Sequence, residues 1–272
     1  MTLLEAIVLG IAQGLTEFLP ISSSGHLRIV PAFAGWEDPG ALFTAVIQLG
    51  TMAAVVIYFW RDLVTVTRTW FLSLRRPELR GELDARMGWY LIIATIPIGI
   101  VGLAFKDQIE TGARNLYLIG TVLIVAGIVL AVADRMGRKV RELATVGRAD
   151  AIWIGIAQAF ALIPGTSRSG ATITAGLFLG LRRDAAARFS FLLSVPAVVL
   201  SGLFGLTELT SSEAGVAWWD LTVATVFAFI FGYISIAFLL RYLANHSMMI
   251  FVIYRLVLGA VVIGLAASGT IS

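Results

Sequence analysis

The chain has no cysteine, which excludes a disulfide framework and a thiolate metal site and removes the usual clue to redox compartment. It has only two histidines, His26 and His246, too few for a histidine-rich zinc centre. Charge is scarce as well. Only 14% of the 272 residues are charged against 58% hydrophobic, and the mean hydropathy of +0.91 is far above that of a soluble domain of this length. What is present in quantity is long apolar helical runs, so the fold class expected is an all-α polytopic membrane protein. The net charge of +3 does not mark a nucleic-acid partner, because the arginines lie between the apolar runs and read as topology signals. No basic stretch precedes the first apolar run, which contains Glu5, so no cleaved signal peptide is expected.

Residues 5–19 make an apolar helical run of about 22 Å, short of the about 30 Å of hydrocarbon in a bilayer. Pro20 and Ser22, Ser23 and Ser24 then end it. Such a segment is expected to be re-entrant, its turn buried in protein or lining a polar cavity, because lipid cannot satisfy the freed backbone. A span is expected at 41–60. The following loop, 61–88, carries Arg61, Arg68, Arg75, Arg76, Arg80 and Arg86 and is placed in the cytoplasm. Spans at 89–105 and 115–133 are joined by a connection with Lys106, Asp107, Glu110 and Arg114. The basic segment 134–148, with Arg135, Arg138, Lys139, Arg141 and Arg148, is placed in the cytoplasm again. A second short apolar helix, 150–164, ends in Pro164-Gly165 and is followed by a short helix at 170–181. Spans at 189–206, 220–240 and 248–267 complete the chain, and the acidic loop with Glu208, Glu213 and Asp220 is placed outside. The count is six transmembrane helices plus two re-entrant helical hairpins in one integral membrane domain, 1–272.

Residues 5–26 align without gaps on residues 150–171. Ala6, Ile7, Gly10, Ile11, Ala12, Gln13, Ser22, Ser24 and Gly25 meet identical residues 145 positions later, nine identities in 22 positions; an apolar-biased composition would give roughly two or three. The chain therefore reads as two repeats, 1–134 and 150–272, each a re-entrant pair plus three spans. An odd number of spans inverts the second copy, so the first hairpin enters from outside and the second from the cytoplasm. Inverted repeats place their broken helices opposite one another near the midplane, with the functional site between them. The copies differ where chemistry is expected: Glu17 aligns with Leu162, Ser23 with Arg168 and His26 with Ala171. One asymmetric site built from both halves fits this better than two equivalent ones.

Polar groups at membrane depth are costly and point to function. Gln13 and Glu17, four apart, share a helix face; a carboxylate there suits a divalent cation, Mg²⁺ or Ca²⁺, whose remaining oxygens a phosphate substrate can supply. Arg168, between Ser167 and Ser169, offers a planar donor fork for a phosphate or diphosphate. The amides of Ser169 and Gly170 begin a helix, where an anion is favoured. His26 suits general acid–base or nucleophilic work; Ser23 suits a nucleophile with His26 as the base three residues away. Serine, histidine and metal-bound water all stay open as the nucleophile. Ser22 and Ser24 also fit a packing and backbone-satisfying role. Gln158 reads as helix packing and His246 as surface.

The stretch Gln13-Gly-Leu-Thr-Glu17-Phe-Leu-Pro-Ile-Ser22-Ser23-Ser24-Gly-His26, with Pro164-Gly165-Thr166-Ser167-Arg168-Ser169-Gly170-Ala171-Thr172 and Ala-Val-Ile-Gln-Leu-Gly at 45–50, resembles the motifs of bacterial undecaprenyl-diphosphate phosphatases of the bacitracin-resistance type. The resemblance implies hydrolysis of undecaprenyl diphosphate to undecaprenyl phosphate and phosphate, recycling the lipid carrier for cell-wall synthesis. It implies catalytic roles for Glu17, Ser23, His26 and Arg168. Substrate contacts are expected from Ser22, Ser24, Ser167, Ser169, Gly170 and Thr172, and a divalent cation held at Glu17 and Gln13. Members carry glutamate or glutamine at the position of Gln13, so this chain has one carboxylate where some have two. The implied location is the bacterial plasma membrane, with the site opening to the external, periplasmic side. Expected partners are the polyprenyl diphosphate lipid and membrane lipid, with a homodimer left open. Because broken helices in inverted repeats are also transporter architecture, a transporter or flippase of polyprenyl phosphate is the alternative.

Overall fold

The structure, a computed structural model, describes residues 1–105, 115–208 and 217–271. Among them are eleven α-helices: α1 (Leu3–Phe18), α2 (Ser23–Ala34), α3 (Gly40–Tyr58), α4 (Trp60–Arg75), α5 (Leu83–Ala104), α6 (Leu116–Met136), α7 (Arg148–Ala159), α8 (Arg168–Phe178), α9 (Arg183–Glu208), α10 (Trp218–Leu243) and α11 (Met249–Ala267). The described residues contain no strand beyond one isolated bridge between Arg141 and Leu181. Four helices, α5, α6, α10 and α11, are each long and apolar enough to cross a membrane, and the bent pair α3–α4 passes the same test as a unit. The chain is a multi-pass membrane protein. The connection with Lys106, Asp107, Glu110 and Arg114, and Glu213 of the acidic loop, lie outside the described residues.

Close approach of backbones organises the packing. Helix α1 lies along α10 and α7 along α5, each through a glycine. A Cβ on Gly14 would fall 2.7 Å from the Ala228 carbonyl oxygen, and one on Gly155 2.7 Å from that of Ala94. Bilayers supply no hydrophobic drive between helices, so small residues that bring backbones together carry the association. Helix α3 packs on α10, α9 on both α3 and α5, and α6 on α11. Buried aromatics fill the middle, with Phe18 edge-on to Phe191 at 5.3 Å.

The first turns of α1 and α7 are closed alike. Thr2 N–H donates to Glu5 Oε2 at 2.9 Å, and Gly147 N–H donates to Asp150 Oδ2 at 2.7 Å, each satisfying an amide that a helix start leaves unpaired. Asp150 is also held by the Arg141 fork, Nη1 to Oδ1 at 2.9 Å and Nη2 to Oδ2 at 2.7 Å. Burial alone would raise the Asp150 pKa; the Arg141 fork and the Gly147 amide outweigh it and leave the carboxyl below its ordinary value. At the far end of α6, Asp134 accepts from Arg183 Nε at 2.5 Å and from Met248 N–H at 3.1 Å. That one carboxylate ties together the end of α6, the start of α9 and the α10–α11 turn.

Residues 61–88 depart from expectation. In place of a loop, α4 turns 77° from α3, a 3₁₀ turn spans Pro77–Gly81, and α5 begins at Leu83, ahead of the expected 89. The arginines hid an amphipathic period: Val66, Trp70 and Ser73 recur at helical spacing and face inward, with Val66 and Ser73 buried. The second short helix begins at Arg168, where position 170 was expected, because Ser167 caps it. The run 150–164 is helical only to Ala159 and closes in a 3₁₀ turn, Phe160–Leu162.

Candidate active site

Two turns of the same construction frame the site. After α1 ends, Pro20 and Ile21 lead to Ser22, at φ 77° and ψ 98°, whose Oγ accepts from Gly25 N–H at 3.3 Å and lies 3.2 Å from Ser24 Oγ. Before α8, Ser167 sits at φ 70° and ψ 118°, its Oγ accepting from Gly170 N–H at 3.1 Å and lying 3.1 Å from Ser169 Oγ. A serine in the left-handed region costs on the order of 1–3 kcal/mol and persists only where its surroundings over-determine it. Here the cap bond and the paired hydroxyl do so at both tips.

Glu17, buried in the last turn of α1, is where the halves meet. Its Oε1 accepts from Arg168 Nη2 at 2.8 Å, across 151 positions of sequence. Its Oε2 accepts from Ser23 Oγ at 2.6 Å and from Gln13 Nε2 at 3.1 Å. Ser169 Oγ donates to the Leu19 carbonyl at 3.1 Å, a second link between the tips. Two buried polar atoms are left without partners in this cluster, Gln13 Oε1 and Arg168 Nη1. An orphaned acceptor and an orphaned cationic donor flanking one carboxylate are what a site for a cation and an anion together would present.

Among the described residues no three acidic, histidine or cysteine side chains are grouped to hold a metal. The donor set is one carboxylate and one amide oxygen, Glu17 and Gln13. Hard divalent cations are held in this way when phosphate and water complete the shell, so the residues fit Mg²⁺ or Ca²⁺.

Not every expected residue joins the cluster. His26 was expected as the base for Ser23; in the structure Ser23 Oγ donates to Glu17 and the ring nitrogens of His26 meet other partners. Its Nδ1 lies 2.7 Å from the Ser22 carbonyl and its Nε2 2.6 Å from Tyr254 OH, on which the ring stacks at 5.6 Å. A carbonyl only accepts, so Nδ1 carries the proton, and in the neutral ring Nε2 accepts from the tyrosine. The imidazole is taken up by Ser22 and Tyr254, while Ser23 Oγ reaches back to Glu17, although a spacing of three in α2 leaves the two side chains on neighbouring positions of the helix. Thr172 is buried against α9, its Oγ1 2.7 Å from Ser190 Oγ, so it is spent on packing the helix that carries Arg168. Gln158 donates to the Ala94 carbonyl at 3.1 Å and stays with the α7–α5 seam.

Arg255 was missed. It is 1% exposed and reaches both tips from α11: Nη1 donates to the Pro20 and Thr166 carbonyls, both at 3.0 Å, Nη2 to those of Gly165 and Thr166 at 2.9 and 3.0 Å, and Nε to that of Leu123 at 3.2 Å. The Pro20, Gly165 and Thr166 carbonyls lie in turns inside an apolar interior and need donors; the guanidinium gives them four bonds and a fifth to Leu123 within α6. A lone arginine inside the apolar run 248–267 was the available signal.

The model of the family described as bacitracin resistance protein BacA matches residues 6–261. The chain belongs to this family. It is 52% identical over 269 residues to a relative from Nocardioides sp. named undecaprenyl-diphosphatase, covering 99% of this chain and 98% of that one. It is 52% identical over 275 residues to an undecaprenyl-diphosphatase of Mycolicibacterium smegmatis, covering 100% and 99%. To that of Thermobifida fusca it is 51% identical over 273 residues, covering 100% and 93%. The Glu17–Arg168 cluster thus lies within the matched region, on both of its tips.

Proposed function

We propose that this chain hydrolyses undecaprenyl diphosphate to undecaprenyl phosphate and inorganic phosphate at the cluster between the two serine-capped tips. The observation that carries the reading is the Glu17–Arg168 pair with its orphaned neighbours Gln13 Oε1 and Arg168 Nη1. Family membership and the names of the full-length relatives support the reaction and the substrate. The diphosphate binds at the tips while the polyprenyl tail stays among apolar helices.

Arg168 donates to the terminal phosphate and stabilises charge that develops on it. Ser23, already donating to Glu17 Oε2, transfers its proton to that carboxylate as Oγ attacks the terminal phosphorus. The anhydride P–O bond breaks and its electron pair leaves on undecaprenyl phosphate. Water then attacks phosphorus, its hydroxyl staying on the phosphate and its other proton passing to a phosphate oxygen, while the Oγ–P bond breaks, Glu17 returns the proton to Ser23 Oγ, and phosphate departs. His26, fixed by Ser22 and Tyr254, positions the first tip. A divalent ion held by Glu17 and Gln13 would supply neutralisation of the phosphate charge.

The same reading places the chain in the bacterial inner membrane with α3, α5, α6, α9, α10 and α11 as six spans. The pairs α1–α2 and α7–α8, each helix shorter than the about 30 Å hydrocarbon, are two re-entrant hairpins in inverted repeats. Exchange of the halves in the packing, α1 on α10 as α7 on α5, supports the repeat. The site opens externally, since the arginine-rich segments take the cytoplasmic side.

Phosphate release from a polyprenyl diphosphate by purified protein tests the proposal. Arg168→Ala is expected to lower kcat by about 100-fold or more, the scale of removing a group that stabilises transition-state charge, and near-normal turnover would sink the assignment. Ser23→Ala retaining full turnover would instead move the attack to water.

A further inference from the structure

A cavity of about 490 Å³ opens at the elbow between α3 and α4, walled by Tyr58 and Phe59, Arg188 of α9, and Tyr233 and Arg241 of α10, with Asp62 at its rim. It contains none of the residues of the Glu17 cluster. Helix α3 has 19 residues, about 28 Å at the α-helical rise, close to the about 30 Å of hydrocarbon, so with α3 as the span of the proposed topology the 77° bend falls at the membrane surface. Exposed Trp60 next to the bend, with the Arg61 guanidinium 5.5 Å from its ring, is the side-chain pattern of that level.

The charges in the cavity do not balance. Arg188 is paired with Asp62 at 2.8 Å and lies 5.7 Å from the Phe59 ring centroid. Arg241, in the last turn of α10, has no carboxylate within ion-pair distance among the described residues. Two guanidiniums and one carboxylate leave a single positive charge, complementary to a monoanion. The helices that wall the cavity also expose apolar side chains, Val56 and Ile57 on α3 and, at a spacing of four along one face of α10, Ile230, Ile234 and Phe238. An anion cradle on helices that also expose apolar side chains fits a group that is both charged and acylated.

We infer that this elbow is a binding site for the phosphate headgroup of an anionic membrane phospholipid, with Arg241 and Arg188 on the phosphate and the acyl chains along α3 and α10. Asp62 competes for Arg188 and tunes the affinity. The site stands apart from hydrolysis and does not rest on the proposed reaction.

The test uses the full chain purified in a neutral detergent, titrated with phosphatidylglycerol, phosphatidylcholine or inorganic phosphate. Retained adducts are followed by native mass spectrometry and the melting temperature by thermal scanning. Phosphatidylglycerol is expected to bind and raise the melting temperature, with little response to the other two. Arg241→Gln, which leaves the Asp62–Arg188 pair intact, should weaken phosphatidylglycerol binding by about ten-fold, the loss of one charge-assisted contact. Asp62→Asn should strengthen it by freeing Arg188. Equal binding of phosphatidylcholine, the same response to inorganic phosphate alone, or unchanged binding in Arg241→Gln would each overturn the inference.

Discussion

Arg255 shows how one side chain can hold a site it never touches chemically. Its five bonds to carbonyls of Leu123, Pro20, Gly165 and Thr166 fix both tips against α11. Arg255→Leu should destabilise the protein by about 3 kcal/mol or more, because each orphaned buried acceptor costs about 1–3 kcal/mol. The check is a fall in melting temperature with loss of phosphate release. At the neighbouring position, Tyr254→Phe keeps the stack on His26 and removes the bond to Nε2. A drop in kcat of roughly 2- to 10-fold, the worth of one hydrogen bond, with a displaced pH profile is the expected outcome. Gln13→Glu adds a second carboxylate beside Glu17, and should lower the Mg²⁺ concentration for half-maximal phosphate release by a few-fold; an unchanged requirement would argue against Gln13 as a ligand. Glu17, Ser23 and Arg168 were legible as residues, since charge and hydroxyl at membrane depth stand out. The Ser23–Glu17 contact was not, because spacing along the chain placed Ser23 nearer His26.

At the scale of elements, the serine caps are the most distinctive device. Ser22→Ala and Ser167→Ala should each cost about 1 kcal/mol for the lost cap, with the strain of a positive φ kept; Ser→Gly at the same positions removes that strain and should cost less. The order Ser above Gly above Ala in melting temperature is the readout. The start of α7 gives a pH test. Asp150 has its folded pKa lowered by Arg141 and Gly147 against the opposing effect of burial, so its contribution is complete above its unfolded pKa and is lost as pH falls through the folded value. Asp150→Asn should therefore lower the melting temperature at pH 7 by the equivalent of about 1–2 kcal/mol. The wild-type and variant values should converge only as the pH falls below about 4. Helix α4 was read as loop because its arginines outweighed a period of inward-facing residues. Basic surface helices and basic loops differ only in that period.

For the whole molecule, the absence of cysteine makes topology directly measurable. Single cysteines introduced at Asp38 and at Arg76, labelled in intact cells with an impermeant maleimide, should react from outside at position 38 and only after permeabilisation at position 76. The reverse would invert the proposed orientation. Composition and apolar run length determined that this is a helical, multi-pass membrane protein, and the 22-residue self-match at an offset of 145 positions marked both tips, because burial in lipid leaves little freedom in which residues may occur. Tertiary structure alone decided what those tips touch. Glu17 meets Arg168 across 151 positions, His26 turns to Tyr254, and Arg255 binds both turns. Such contacts depend on which helix faces pack and how closely, and that is set by glycine approaches such as Gly14 on Ala228, which the order of residues along the chain does not display.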